Sequence, residues 1–311
     1  MKIDKMVDFS VVVPVYNSAK SLNELYNRIN SVFIGMGKSY EIVFINDCSK
    51  DNSLEVLKAI HSQYKNIKVI DLFSNFGQQN ALMCGFNHCV GSYVITLDDD
   101  LQNPPEEIPK LVEKLNEGYD AVFGSYTDKQ DTLLRKIGSK LIRVLNHKIF
   151  DVRNNLKFSS FRIIKKDVIN QIKDNKTNFP YISGMLLQTT MNISNVILVH
   201  DKRKYGKSNY SFTKLLKVSL NLLINHSTIP LRFFGFFGLI VSFVSFLIGV
   251  IFIIRKFISG TAPTGWTSLI VLISFYNTII LLIFFVIGEY LSRILKESSN
   301  LKQYSIRNIW K

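Results

Sequence analysis

Two long apolar runs constrain this chain more than anything else in it. FFGFFGLIVSFVSFLIGVIFII, from Phe233 to Ile254, and WTSLIVLISFYNTIILLIFFVIG, from Trp266 to Gly288, hold no charged residue. A helix that crosses a bilayer needs about 20 consecutive apolar residues, and each run supplies them. A water-soluble helix keeps one polar face, which neither run has. The runs therefore read as membrane helices over 233–255 and 266–288. The linker RKFISGTAPTG is too short for a domain, so the pair is expected to form a hairpin with both chain ends on one side of the membrane. Lys214, Lys217 and Arg232 before the first run, with Arg293, Lys296 and Lys302 after the second, outnumber Arg255 and Lys256 between them. Positive charge favours the cytoplasmic side, so the rest of the chain is expected there.

Upstream of residue 211 the pattern is that of a different class of fold. FSVVVPVYN, YEIVFINDCS, IKVIDLF and SYVITLDDD read as short strands. They alternate with SLNELYNRINSVFIGMG, DNSLEVLKAIHSQY and GQQNALMCGFNHCV, whose apolar residues recur at helical spacing. Such alternation predicts βαβ units and a mostly parallel α/β sheet over residues 1–210. In such sheets ligands bind at the carboxyl ends of the strands, where the polar clusters YNS, NDCS and DDD all fall. Two basic amphipathic stretches, Leu133–Phe150 and the juxtamembrane 211–230, are expected to lie in a membrane interface. Residues 293–311 read as a basic cytoplasmic tail.

The formal net charge of +14 calls for an anionic partner, such as a phosphate ligand or an acidic membrane face. The basic segments lack interleaved aromatics and the chain has no zinc motif, which argues against nucleic acid. Cys48, Cys84 and Cys89 share no metal-ligand spacing and read as reduced thiols. The N-terminus does not have the pattern of a signal peptide and reads as leading into the first strand. His61, His88, His147, His200 and His226 are scattered, and no Ser-His-Asp or Cys-His nucleophile pattern is present.

The chemistry concentrates in ITLDDDLQNPPEEIP. If the strand stays extended, Asp98, Asp100 and Gln102 share one face and Asp99 takes the other. Two carboxylates and an amide oxygen form a hard donor set suited to Mg²⁺ or Mn²⁺ with substrate phosphates. A cation there also relieves like-charge repulsion among the aspartates. The alternative is an acidic turn in which Asp100 or Asn103 caps the following helix.

VVVPVYN, INDCSKDNS, NFGQQNALMCGF and ITLDDDLQNPPEEIP, in that order, resemble the family 2 glycosyltransferases with a GT-A fold. VHDKRKYGKSNYSFTKLL followed by two apolar runs narrows the resemblance to the polyprenyl-phosphate glycosyltransferases. That group includes dolichol-phosphate mannose synthases and the undecaprenyl-phosphate glucosyl and aminoarabinose-type transferases. DLQNPPEEIPKLVEKLNEGYD is closest to the last of these. The resemblance implies an inverting transfer from a nucleotide sugar, UDP favoured over GDP, to polyprenyl phosphate at a bacterial plasma membrane. It implies metal ligation by Asp98, Asp100 and Gln102, with Asp98, Asp100 and Arg203 catalytic. Pro14, Tyr16, Asn17, Asp47 and Asp99 are implied to line the nucleotide site. Arg162, Arg203, Lys207, Ser208 and Lys129 are implied to grip the lipid phosphate, and a homotetramer is implied as the assembly. The chain departs from the family pattern in four places. Asn46 and Cys48 replace the first Asp and the Gly of D-D-G-S, which implies a different local backbone. Tyr126 stands where many relatives have arginine, and Asn209 where lysine is common. Two other readings are a processive polysaccharide synthase, whose Q-x-x-R-W element is missing after Gln188, and a non-enzymatic basic membrane adaptor, which leaves the aspartates unexplained.

Overall fold

The computed structural model describes residues 7–126, 156–175, 177–201, 204, 227, 229–259, 265–298 and 302–311. It divides into two units. The first comprises Met1–Phe212 with Leu301–Lys311, and the second comprises Thr213–Asn300.

The first unit is built on an eight-stranded sheet. Strands β1 (Phe9–Val15), β2 (Tyr40–Asn46), β3 (Ile67–Leu72) and β4 (Tyr93–Thr96) run parallel, with β1 between β2 and β4. Strand β6 (Arg162–Lys165) lies antiparallel to both β4 and β5 (Ala121–Ser125), and β7 (Ile193–Ile197) runs parallel to β5. The last strand, β8 (Ile306–Trp310), pairs antiparallel with β3, giving the order β7-β5-β6-β4-β1-β2-β3-β8.

Both faces of the sheet are covered, which is why β1 reads as a continuous apolar run rather than an alternating one. Val11, Val13 and Val15 point into a cluster with helices α1 (Leu22–Met36), α2 (Ser53–Gln63) and α4 (Ile108–Asn116). Val12 points the other way, to α3 (Gln78–His88), α5 (Lys166–Lys173) and α6 (Ile182–Thr189). Helix α1 buries Leu22, Leu25, Tyr26, Ile29 and Phe33, the stripe its sequence spacing predicts. Each such side chain contributes about 1.5–3 kcal/mol when fully removed from water. The helix stops at Gly37, whose left-handed backbone (φ 60°) lets its N–H and that of Lys38 reach back to Ile34 and Phe33. Pro14 is buried inside β1, where a missing N–H would normally leave a gap in the ladder. The pairing of β1 with β4 ends at Val12, so no carbonyl of β4 awaits that donor.

The second unit consists of α7 (Ile229–Ser259) and α8 (Trp266–Ser298). They cover the two apolar runs and extend beyond both. Gly238 of α7 sits against Ile283 of α8. Among the described residues, Phe275–Leu295 is long and apolar enough to cross a membrane, with mean hydropathy 2.0. On α8, Leu281, Phe284, Phe285 and Leu291 are exposed.

One expectation changes here. The basic tail is not merely a tail, because its last residues complete the sheet as β8. Arg307 faces the buried carboxylate of Asp71 at 3.4 Å and also donates to the carbonyl of Phe73 at 3.2 Å. The amphipathic stretch 133–150 and residues 211–226 lie outside the described residues. All three cysteines are free, as the sequence predicts.

Candidate active site

The polar clusters come together at the carboxyl end of the parallel strands, as open α/β sheets require. Asn17, Cys48 and Leu101, after β1, β2 and β4, are the non-glycine residues with positive φ among those described, at 56°, 55° and 60°. A side chain in left-handed backbone costs roughly 1–2 kcal/mol, and such residues collect at functional sites. All three adjoin the polar clusters. Cys48 adopts the left-handed backbone that glycine most readily takes. Leu101 holds its conformation because its side chain is buried in the core beneath the aspartates.

The aspartates do not sit on an extended strand. Strand β4 ends at Thr96, and Asp99 and Asp100 lie in a turn. Strand alternation therefore does not sort their side chains; individual hydrogen bonds do. Asp98 Oδ1 accepts from Gln78 Nε2 at 2.7 Å. Its Oδ2 accepts from Asn103 Nδ2 at 3.2 Å and from the Ser160 hydroxyl. Asp99 Oδ2 accepts from the Tyr16 backbone N–H at 3.0 Å, and its carbonyl accepts from Ser21 Oγ at 2.6 Å. Asp100 Oδ1 accepts from the Gln102 N–H at 3.1 Å, and the Gln102 carbonyl accepts from the Asp201 N–H at 2.9 Å.

Electrostatics follow from this crowding. Burial pushes the Asp98 carboxyl above its usual range against the Ser160 hydrogen bond, and Asp100 adds like-charge repulsion. Burial likewise pushes Asp99 up to about 6, opposed by hydrogen bonds from Ser18 and Tyr16 and reinforced by Asp98 and Asp100. Among the described residues no three His, Cys, Asp or Glu side chains gather as a metal cluster. The donor set nevertheless fits a hard divalent ion: oxygen atoms only, with negative charge in surplus at a half-buried position.

Other implied site residues are distributed differently. Tyr16 is 44% exposed at the tip of the first loop. Asn17 Oδ1 accepts from the Lys50 N–H at 2.7 Å, and the Asn17 N–H reaches Ser49 Oγ at 3.0 Å, tying the β1 and β2 loops together. Pro14 lies in the sheet interior, one step behind the lining assigned to it. Asp47 is also a correction. It is 3% exposed, and its two oxygens accept from the Phe76 and Gly77 N–H groups at 2.7 and 2.8 Å. It shapes the entry to α3 instead of presenting a free acceptor. Arg162 is corrected for the same reason. It is 2% exposed, donates to Thr96 Oγ1 at 3.2 Å and Ser183 Oγ at 3.1 Å, and lies over the Phe123 ring. Burial pulls its guanidinium down to about 10, while Tyr181 and Asp98 oppose that. It is a fixed positive charge behind Asp98, not a surface clamp. Lys129, Arg203, Lys207, Ser208 and Asn209 lie outside the described residues.

Gln78, Asn103 and Ser160 were not singled out for the site from sequence. Ser160 stands in FSSFRII beside the conspicuous Arg162, and Gln78 is distant in sequence from the aspartate it holds. Only a repeated amide-rich signal, GQQN and LQN, could have pointed to Gln78 and Asn103, and it does not reach Ser160.

Residues 10–179 match the family described as Glycosyl transferase family 2. The chain belongs to that family. It is therefore a glycosyltransferase, and its mostly parallel sheet is the GT-A fold. It is 34% identical to the undecaprenyl-phosphate 4-deoxy-4-formamido-L-arabinose transferase of Edwardsiella ictaluri, covering 98% of this chain and 95% of that one. It is 32% identical to an uncharacterized glycosyltransferase of Bacillus subtilis, over 98% and 95% of the two chains. Among solved structures it is similar to glucosyl-3-phosphoglycerate synthase of Mycobacterium tuberculosis in complex with Mn²⁺, UDP and phosphoglyceric acid. That match has a TM-score of 0.54 and 18% identity, over 70% of this chain and 76% of that one, and shows the shared fold.

Proposed function

We propose that this glycosyltransferase is anchored in a bacterial plasma membrane. In this reading it moves a sugar from a nucleotide sugar, UDP-linked in preference to GDP-linked, to undecaprenyl or another polyprenyl phosphate. The observation that carries the reading is the full-length relation to a transferase named for that acceptor, apolar helices included. The anchor has independent support. Helix α7 has 31 residues and α8 has 33, about 46–50 Å each at 1.5 Å per residue. The chain leaves the first unit before α7 and returns after α8 to pair β8 with β3, so any membrane crossings between them must be even in number. Two crossings satisfy that, and the basic flanks favour a cytoplasmic catalytic unit.

Chemically, a lipid phosphate oxygen attacks the anomeric carbon, and the bond from that carbon to the nucleoside diphosphate oxygen breaks. In-line attack inverts the configuration. The phosphate is already anionic near neutral pH, so no strong general base is needed. Asp98, Asp100 and Gln102 would hold a divalent ion, Mg²⁺ or Mn²⁺, that neutralises charge on the departing diphosphate. Gln78, Asn103 and Ser160 hold the Asp98 carboxylate in place. The Tyr16 and Asn17 loop borders the donor, and Arg203, Lys207, Ser208 and Lys129 are proposed to take the acceptor phosphate.

The test is a panel of nucleotide sugars with undecaprenyl phosphate and Mg²⁺ or Mn²⁺, read by mass of the glycolipid. Nucleoside diphosphate should appear only with the lipid phosphate present and should cease with EDTA. Turnover undiminished by chelation would remove the metal from the scheme.

A further inference from the structure

We infer that Tyr126 is a positioning residue of the acidic cluster: its hydroxyl orients the Asn103 amide, and through that amide the Asp98 carboxylate. The inference rests on the metal-assisted reading above and names a residue whose role that reading leaves open.

Tyr126 is the first residue after β5, and Asn103 follows the turn after β4, so the contact bridges two strand ends separated by β6. The Tyr126 hydroxyl donates to Asn103 Oδ1 at 2.5 Å. Asn103 Nδ2 donates to Asp98 Oδ2 at 3.2 Å. Donor and acceptor rules fix the direction of this relay. An ionised carboxylate only accepts, so the amide must present its NH₂ end to Asp98 and its oxygen to Tyr126. A turned amide would set oxygen against the carboxylate. Asn103 is 4% exposed, so bulk water does not readily replace the tyrosine hydroxyl at its oxygen.

The ring of Tyr126 is itself held. It packs against His200 with centroids 4.6 Å apart and joins the core under the sheet. Asp98 then receives three side-chain donors from three different segments: Gln78 from α3, Asn103 from the turn after β4, and Ser160 from the segment before β6. Of these, Asn103 has its amide plane set by a further side-chain hydrogen bond, the one from Tyr126. Outer groups that orient a ligating carboxylate typically change metal affinity or activity by about 10–100-fold when removed. Tyr126→Phe keeps the ring and deletes the hydroxyl that makes the first link, together with its hydrogen bond to Ser159.

The full-length protein in detergent, as wild type, Y126F, N103A and Y126F/N103A, is titrated with Mn²⁺ while free Mn²⁺ is followed by electron paramagnetic resonance. Thermal melts check folding, and kcat and KM for the nucleotide sugar are measured alongside. Y126F is expected to bind Mn²⁺ about 10-fold more weakly and to lose kcat with little change in donor KM. N103A should show the same or a larger loss, and the double variant should match N103A alone, because both act through one amide. Unchanged Mn²⁺ affinity in Y126F, with wild type binding, overturns the inference and leaves the metal reading standing. A double variant weaker than N103A by the full Y126F factor also overturns it, since Tyr126 would then act without Asn103. If wild type binds no Mn²⁺, the metal reading falls and takes the inference with it. If Y126F does not fold, N103A alone decides, and wild-type affinity there overturns the inference.

Discussion

At the residue scale, the site is made of groups held in conformations they would not choose alone. Asp99 is the plainest electrostatic case, with its carboxyl pushed up to about 6 by burial. In the unfolded chain the same group titrates near 4. A raised carboxyl contributes stability that is fully present below about pH 4 and is lost as pH rises through about 6. Metal-free protein should therefore lose stability across that window. Asp99→Asn should flatten that part of the profile in denaturant titrations at stepped pH. A steeper profile in the variant would contradict the burial argument. Cys48 is the steric counterpart, with φ at 55°. Cys48→Gly removes left-handed strain of about 1 kcal/mol but adds backbone freedom of similar size in the unfolded chain, so stability should hardly change. Cys48→Val, β-branched at positive φ, should lower stability by roughly 1–2 kcal/mol in thermal melts.

Strands and loops act together at the next scale. The loops after β1, β2 and β4 are joined by Asn17 to Lys50 and Ser49, and by Tyr16 to Asp99, so the first loop and the acidic turn are tied together. The edge strand β8 belongs to the same network at one remove. Arg307 meets Asp71, whose other oxygen accepts from Asn46 Nδ2 at 2.7 Å, and Asn46 Oδ1 accepts from the Ser49 N–H at 3.3 Å. Asp71 is 1% exposed, so its charge needs both partners. Arg307→Ala is expected to cost about 1–3 kcal/mol and to loosen the β2 loop. Hydrogen exchange at Cys48–Lys50 measures the second effect, and unchanged protection there would confine Arg307 to the sheet edge.

For the whole molecule, one connection carries the topology. Strand β8 comes after α7 and α8 in sequence yet lies in the sheet of the first unit. In membranes, reporters fused after Lys311 and before the first strand should therefore report the same compartment, the cytoplasm. A reporter placed in residues 260–264 should report the opposite one. Opposite readings from the two termini would mean that β8 does not pair with β3 of its own chain in the membrane.

How much of this was legible in advance depends on the range of the physics involved. The α/β class, the order of the first four strands and the helices between them, and the long apolar helices follow from periodicity and composition, which the chain carries locally. The acidic turn was also visible, because three like charges after an apolar strand demand an explanation wherever they lie. What local pattern could not supply was the point where extension stops. Strand β4 ends at Thr96, opposite Arg162 where β6 begins, although β1 runs on to Val15, so the alternation drawn through Asp98, Asp100 and Gln102 has no strand to run on. Asp47 and Arg162 were conspicuous by charge, but burial set their roles, and burial depends on residues far away in sequence. Gln78, Asn103, Tyr126 and Ser160 were inconspicuous for the same reason. Their meaning lies in meeting Asp98, directly or through Asn103, and that meeting exists only after α3, β5 and β6 have packed on the sheet. Sequence determined which chemistry the chain holds and roughly where; tertiary structure decided which side chains face it, because hydrogen bonds act over about 3 Å between groups the chain separates by as many as 62 residues.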